Sequence, residues 1–378
     1  MINTFGSQKD LKISQKLSHL SWGLVLLITL LAAIGVACLY SAGNGDMGRW
    51  ANAHIVRFGM GFVAMMIIAM IDVKWIYRLA YIGYIGVFIL LVIVEVKGHV
   101  GMGAQRWIDL GFMKLQPSEM MKLAVIVALA RYFHGLRAED CRKVLYLIPA
   151  FVLIAAPVGL VLLQPDLGTS VMIVAAGMGL IFVAGGPLWL YITGALGAVA
   201  AMPIVWNLMH DYQRRRVLTF LDPESDPLGA GYHITQSKIA LGSGGIGGKG
   251  FMNGSQSNLN FLPEKQTDFI FTLWSEEWGL LGGLFLLFLH GLVCLYCAWI
   301  AFRSRNQFGR LIAFGLMLNF SVYMFVNVSM VMGLIPVVGA PLPLISYGGT
   351  SMLAVMIGFG MVLSVGIHRD TKLPKNNV

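Results

Sequence analysis

Charge is what this chain has least of. Only 12% of its 378 residues are Asp, Glu, Lys or Arg, while 57% are hydrophobic; soluble domains carry roughly 25% charged residues. That scarcity excludes a soluble domain, and apolar runs of membrane-spanning length recur from end to end. Cysteine is scarcer still. Cys38, Cys141, Cys294 and Cys297 all lie outside the one long polar segment, so no disulfide framework is implied. Cys294 and Cys297 have C-x-x-C spacing, but within an apolar run two small buried hydrophobes are a simpler reading than a redox pair. The eight histidines are scattered without metal-ligand spacing, so no zinc site is proposed. A cleavable leader is not expected either: the polar, basic MINTFGSQKDLKISQK runs into Leu24–Tyr40 with no small-residue cleavage site, which predicts a retained first helix.

What the chain has instead is spans. Ten are predicted, at about 22–41, 55–71, 76–95, 117–134, 144–163, 168–184, 188–206, 269–301, 309–332 and 347–367. An even number places both termini on one side. Fifteen of the 27 basic residues, from Lys9 to Lys375, fall on that side in short segments flanking helices, where the positive-inside rule applies. Six of the others sit in the long 207–268 loop, which the rule exempts. The expected fold is therefore an all-α polytopic integral membrane protein, one domain over 1–378. It has about ten transmembrane helices, cytoplasmic N- and C-termini, and a large extracytoplasmic loop between helices 7 and 8.

In that orientation every even-numbered helix begins at the outer face, with its unpaired N–H groups and partial positive charge pointing outward. Helix 4 opens Gln116-Pro117-Ser118-Glu119, helix 6 follows Gln164-Pro165-Asp166, helix 8 opens Thr267-Asp268 and helix 10 follows Ser346-Tyr347-Gly348-Gly349. Taken one at a time, Glu119, Asp166 and Asp268 are ordinary caps and macrodipole partners. Together, four such termini could ring a polar cavity, and helix N-termini are ready anion sites. Asp268 stands out because it sits where an aqueous loop re-enters lipid, within LPEKQTDFIF. Basic residues share that side: Arg106 and Lys114 before helix 4, Lys122 within it, Arg214, Arg215 and Arg216, then Lys238, Lys249 and Lys265. The three arginines are also explained by interfacial snorkelling. Lys122 is either half of a structural i, i+3 pair with Glu119 or part of a substrate pocket.

The long loop carries amphipathic stretches at 217–221 and 232–241 that predict interfacial helices, separated by Asp222-Pro223 and Asp226-Pro227 turns. Gly245–Gly250 formally matches G-x-G-x-x-G, but no strand precedes it, so a dinucleotide site is rejected. Flexibility or a backbone cradle for phosphate oxygens both remain open for it. Between helices 3 and 4, Trp107 reads as an interfacial anchor. On helix 8, Glu276 falls about 12 Å deeper than Asp268 and Glu277 on the opposite face, so both are assigned to packing or gating.

Six stretches together carry a resemblance: QRWIDL at 105–110, QPSE at 116–119, QPDLGT at 164–169, DPESDPLGAGYHITQSK at 222–238, LPEKQTDFIF at 262–271 and PLPLISYGG at 341–349. In order and at the matching helix ends, they resemble the SEDS family (shape, elongation, division and sporulation), and its elongation, RodA-like, branch. The resemblance implies a peptidoglycan glycosyltransferase of the bacterial cytoplasmic (inner) membrane, with its active site facing the periplasm. It would polymerise lipid II into β-1,4-linked glycan during elongation and release undecaprenyl pyrophosphate. The implied partners are lipid II, the growing strand, a class B penicillin-binding protein that crosslinks it, and other elongation-complex membrane proteins, with no nucleic acid. The family's essential aspartate maps onto Asp268.

That chemistry asks for a base to take the acceptor hydroxyl's proton and for positive charge, or a metal, at the leaving pyrophosphate. Asp268 is the candidate base. Glu119, Lys122, Asp166, Arg106, Trp107, Arg214, Arg215, Lys238, Lys249 and Lys265 are the candidate substrate contacts. A divalent cation would fit only if the fold gathers Glu119, Asp166 and Asp268. Two other functions are compatible with polar groups in a bundle: a lipid II flippase, which needs acids on both sides of the midplane, and a non-catalytic scaffold, for which Asp268 would be replaceable.

Overall fold

A computed structural model describes residues 12–374, apart from 102, 103, 110, 112, 113, 165, 210, 226–228, 260 and 263. Lys9, Pro165, the Asp226-Pro227 turn and Lys375, named above, and Pro263 of LPEKQTDFIF lie outside the described residues. A short helix α1 (Ile13–Ser18) leads into α2 (Trp22–Ala42), α3 (Asn52–Met70) and α4 (Val73–Lys97). Three short strands follow, β1 (His99–Gly101), β2 (Ala104–Asp109) and β3 (Lys114–Leu115). Then come α5 (Pro117–Gly135), α6 (Val144–Leu163), α7 (Leu167–Val183) and α8 (Leu188–Leu208). The long loop folds as α9 (Asp211–Leu221), α10 (Ala230–Ser243) and α11 (Ser255–Asn258), ahead of α12 (Ile270–Arg303), α13 (Gln307–Val331) and α14 (Gly349–Ile367). All ten predicted spans correspond to long helices, with ends within three residues.

Eight of the ten are long and apolar enough to cross a bilayer by themselves, and this is a multi-pass membrane protein. The other two are α7, which is short, and α5, which carries Glu119, Lys122 and Arg131. Helix α5 can hold those charges because fifteen of its nineteen residues are buried, packed by α4, α6, α7, α13 and α14. It is the polar axis of the bundle. Helix α8 is the opposite case, apolar all round with no buried residue across Leu188–Asn207, as a lipid-solvated helix should be. The 98–115 connection is a small antiparallel sheet in the order β1-β2-β3, an addition to the all-α expectation. Strands of two to six residues are too short for period-two patterning to register.

Two further departures concern α12. Its first helical residue is Ile270, so Asp268 lies in the preceding turn rather than in the first helical turn. And the helix is broken at Gly279, at φ 66° and ψ −164°. The glycine-rich loop fills the break. Lys249 and Gly250 donate backbone N–H bonds to Glu276 O (3.1 Å) and Glu277 O (2.9 Å), while Leu280 and Leu281 donate to Gly245 O (2.9 Å) and Ile246 O (3.2 Å). A break inside an apolar bundle survives only when the released groups are re-paired in this way. The loop's glycines therefore serve close backbone approach: a Cβ at Gly279 would sit 2.5 Å from Ile246 O.

Gly279→Ala should cost on the order of 1–3 kcal/mol from left-handed backbone strain alone, before the clash. Gly83→Ala, at a position with open space, should be neutral or slightly stabilising. Thermal unfolding of the detergent-solubilised protein measures both, and equal melting temperatures for the two variants would refute the docked-loop account.

Candidate active site

The turn 264–269 begins at Glu264, whose φ of 53° reverses the chain ahead of α12. Three successive carbonyls of this turn are held by α13 and the segment that joins it to α14. Tyr347 N–H donates to Gln266 O (2.8 Å), Ser346 Oγ to Thr267 O (2.6 Å), and Asn327 Nδ2 to Asp268 O (2.8 Å). The same Asn327 amide donates to Ala340 O (2.7 Å), and Ser346 Oγ accepts from Leu342 N–H (2.7 Å), so turn and segment brace each other. With its backbone fixed, the Asp268 carboxylate is left uncommitted: among the described residues it accepts no hydrogen bond.

Its neighbours set its basicity. Gly339, at φ 75°, brings bare backbone alongside, so that even a Cβ there would be 3.4 Å from Asp268 Oδ2. The Asp268 pKa is raised to about 6: burial is the main cause, the Glu264 charge adds to it, and the Arg216 guanidinium opposes both. Arg216 is anchored by a bond from Nη1 to Val337 O (3.0 Å). Of the three consecutive arginines it is therefore the one that addresses Asp268, and it was the one omitted from the candidate substrate contacts. Arg214 turns back onto the end of α8 through Trp206 O (2.9 Å) and Asn207 O (2.8 Å), and Arg215 is exposed.

A second polar cluster lies one turn deeper. Lys122, only 1% exposed, donates to Glu119 Oε1 (2.6 Å), and the Tyr323 hydroxyl bonds to both side chains. Tyr323 and Asn327 are i and i+4 on α13, so the Glu119–Lys122 pair and the Asp268 turn hang from one helix face, about 6 Å apart along its axis. Neither Tyr323 nor Asn327 was identified from sequence. Their signal was present, two polar side chains one turn apart in an apolar span.

The four helix starts do converge. Gln116, which caps α5, gives its backbone N–H to Thr350 Oγ1 at the start of α14 (3.3 Å) and its side-chain amide to Asp166 Oδ2 (3.1 Å). Asp166 caps α7, accepting from Thr169 N–H (3.2 Å) and Thr169 Oγ1 (2.9 Å), and Arg106 Nη1 stands 4.0 Å from its carboxylate. Arg106 is steadied by its Nε bond to Gln164 O (3.0 Å). Trp107 and Lys114 line an adjoining groove. Lys265 is buried, and desolvation, with the Arg49 charge, lowers its pKa below the ordinary lysine value.

Two candidates lie elsewhere. Lys249 is paired with buried Glu276 (2.7 Å) and with Ser255 Oγ (2.7 Å), where it closes the glycine loop over the α12 break. Lys238 lies on α10 with its side chain against Gly333, at the end of α13. Glu277 bonds the Ser41 hydroxyl of α2. The described residues contain no group of three or more His, Cys, Asp and Glu side chains arranged to hold a metal ion.

The chain resembles known proteins along almost its whole length. It is 47% identical to the peptidoglycan glycosyltransferase MrdB of Escherichia coli (strain K12), over 93% of this chain and 94% of that one. It is 32% identical to the peptidoglycan glycosyltransferase RodA of Treponema pallidum, over 91% and 97%. Among solved structures, a chain from work on the structural coordination of polymerization and crosslinking by a peptidoglycan synthase complex superimposes with a TM-score of 0.80 at 32% identity, covering 93% of this chain and 98% of that one. The rod shape determining protein RodA of Thermus thermophilus gives a TM-score of 0.70 at 29% identity, covering 94% and 98%. A family described as cell cycle protein, FtsW/RodA/SpoVE, matches residues 16–371, and the chain belongs to that family.

Proposed function

We propose that this protein polymerises peptidoglycan glycan strands from lipid II at the outer face of a bacterial cytoplasmic membrane, with Asp268 as the general base. The observation that carries the reading is the Asp268 turn: three braced carbonyls, and beside them one half-buried carboxylate left without a hydrogen bond. The acceptor sugar's 4-hydroxyl gives its proton to Asp268 as its oxygen bonds the donor anomeric carbon. The anomeric carbon–oxygen bond breaks on the opposite face, and undecaprenyl pyrophosphate leaves with the electron pair. The pyrophosphate is met by Lys122, Arg106 and Lys265, aided by the α5 and α7 N-termini. A pKa near 6 keeps Asp268 ionised at neutral pH while leaving it a stronger base than an exposed aspartate. Both termini lie in the cytoplasm, the 207–268 loop faces the periplasm, and a class B penicillin-binding protein crosslinks the product.

Purified protein, with its transpeptidase partner, should convert lipid II to polymer, and Asp268→Asn should lower the rate by about 10²–10⁴-fold. Equal polymer from wild type and variant would remove Asp268 from the chemistry. The pH profile gives an independent check. The base works only when deprotonated, so kcat/KM should fall as pH drops through about 6. Arg216→Gln removes a stabilising positive charge, raises the Asp268 pKa and moves that acid limb to higher pH. Glu264→Gln removes a repelling charge and moves it to lower pH. An acid limb insensitive to both substitutions would contradict the assignment.

The Glu119–Lys122 pair serves either structure or substrate, and stability separates the two. Lys122→Met alone strands a buried carboxylate and should cost about 3–5 kcal/mol. Replacing both residues, Glu119→Met with Lys122→Met, should recover most of that melting temperature yet leave polymerisation at least tenfold down. Recovery of both together would make the pair purely structural.

A further inference from the structure

At the end of the bundle opposite the Asp268 turn, α4 begins at Val73, α5 ends at Gly135 and α6 begins at Val144. Arg131 lies one turn inside α5 at this end, half-buried rather than extended into water. Its guanidinium sits over two rings of α4, Tyr77 at 4.8 Å and Tyr81 at 4.5 Å from their centroids. Nη1 donates to Arg78 O (2.9 Å), and no carboxylate pairs with Arg131 among the described residues. The acids of this end serve others: Asp72 pairs with Lys74 (3.8 Å) and Asp140 with Lys143 (2.7 Å), while Glu139 is exposed on the α5–α6 connection. Arg131 therefore keeps most of its five N–H groups, and its whole charge, for something else. The arginine at the matching end of α12 behaves differently. Arg303 is exposed and stacks on Trp299 (4.6 Å from its centroid), as a snorkelling residue does.

The surroundings narrow down the partner. Tyr81 lies beside Tyr132, whose hydroxyl donates to Tyr146 O on α6 (2.7 Å), so the arginine opens onto the seam between α4 and α6. Arg78 is exposed, rests on Trp75 (5.2 Å from its centroid) and stands one turn before Ile82 on the same face of α4. Beyond this polar end both helices leave apolar stripes uncovered at i, i+3, i+7 spacing: Ile82, Ile85 and Ile89 on α4, and Leu145, Ile148 and Val152 on α6. Two guanidinium groups above two hydrocarbon-facing stripes match the phosphodiester and paired chains of a lipid, and not a small soluble anion. We propose that the α4–α6 seam is a seat for one anionic phospholipid, its phosphate on Arg131 and Arg78 and its acyl chains along the two stripes. The guanidinium's planar fork suits phosphate oxygens, and the tyrosine rings already hold Arg131, so little side-chain freedom is lost on binding. In the orientation proposed above, the seat faces the cytoplasmic leaflet, across the membrane from the chemistry. It does not depend on the polymerase reading.

The test uses the full-length protein in detergent, titrated separately with phosphatidylglycerol and phosphatidylcholine of the same chains. Native mass spectrometry counts retained lipid and protein copies. Wild type should retain phosphatidylglycerol in preference to phosphatidylcholine. Arg131→Gln and Arg78→Gln should each weaken phosphatidylglycerol retention about fivefold, the equivalent of about 1 kcal/mol per basic side chain at an anionic surface. Arg131→Lys should weaken it less, and Arg303→Gln not at all. Arg78 is exposed, so its variant reads the seat even where Arg131→Gln lowers stability. Equal retention of the two lipids by wild type overturns the seat, and so do equal losses in Arg303→Gln and Arg131→Gln. Displacement of phosphatidylglycerol by millimolar inorganic phosphate would make this a site for a soluble anion and also overturn it. A dimer that Arg131→Gln dissociates, with lipid retention unchanged, would give the seam to a second copy of the chain instead.

Discussion

Backbone that leaves the helix inside an apolar bundle must find a partner for every group it frees, and most of what is specific to this protein follows from how that demand is met. At the α12 break the glycine loop supplies four backbone bonds, and Lys249 closes the arrangement on Glu276. At the Asp268 turn the partners come from Tyr347, Ser346 and Asn327. In both places a segment distant in sequence is tied to the region around the start of α12. The loop that brings the catalytic candidate is thus not a free lid but a part of the bundle's hydrogen-bond accounting.

The same demand separates two kinds of carboxylate. Glu119 and Asp166 are saturated, the first by Lys122 and Tyr323, the second by Thr169, Gln116 and Arg106. Asp268 has a fixed backbone and an unserved side chain, and burial, with the Glu264 charge, raises its pKa. The turn also lessens a difficulty inherent in the sequence reading. Placed in the first helical turn, Asp268 would have been weakened as a base by the helix N-terminus. The structure starts the helix two residues later, after Phe269.

Sequence legibility follows the same line. The spans were readable because lipid demands about twenty apolar residues for each one, and the marked helix starts were readable because caps use few residue types. The convergence of those starts was readable as a possibility only, since orientation supplies a common side but not a common point. Whatever depended on non-local pairing was not readable. The break at Gly279 looks like any glycine in an apolar run until residues 245–250 are seen docked into it. Lys249 looks like a loop cation free for substrate until Glu276 is found beneath it. Arg214, Arg215 and Arg216 are equivalent as a string, and only the path of α9 past Val337 singles out the third. Tyr323 and Asn327 were visible as polar residues within a span, but they carried no charge to notice.

Helix α13 shows why these pieces form one device rather than neighbouring features. Its Tyr323 fixes the Glu119–Lys122 pair on α5, and one turn on, its Asn327 fixes both Asp268 and Ala340. The segment that Asn327 grips at Ala340 runs on through Ser346 and Tyr347 to the uncapped start of α14. The Glu119–Lys122 pair and the Asp268 turn are therefore referenced to a single helix. Rigidity of that kind is what transfer between two large, lipid-tethered substrates requires, since a displacement of about 1 Å from the reactive geometry can cost roughly 10²-fold in rate.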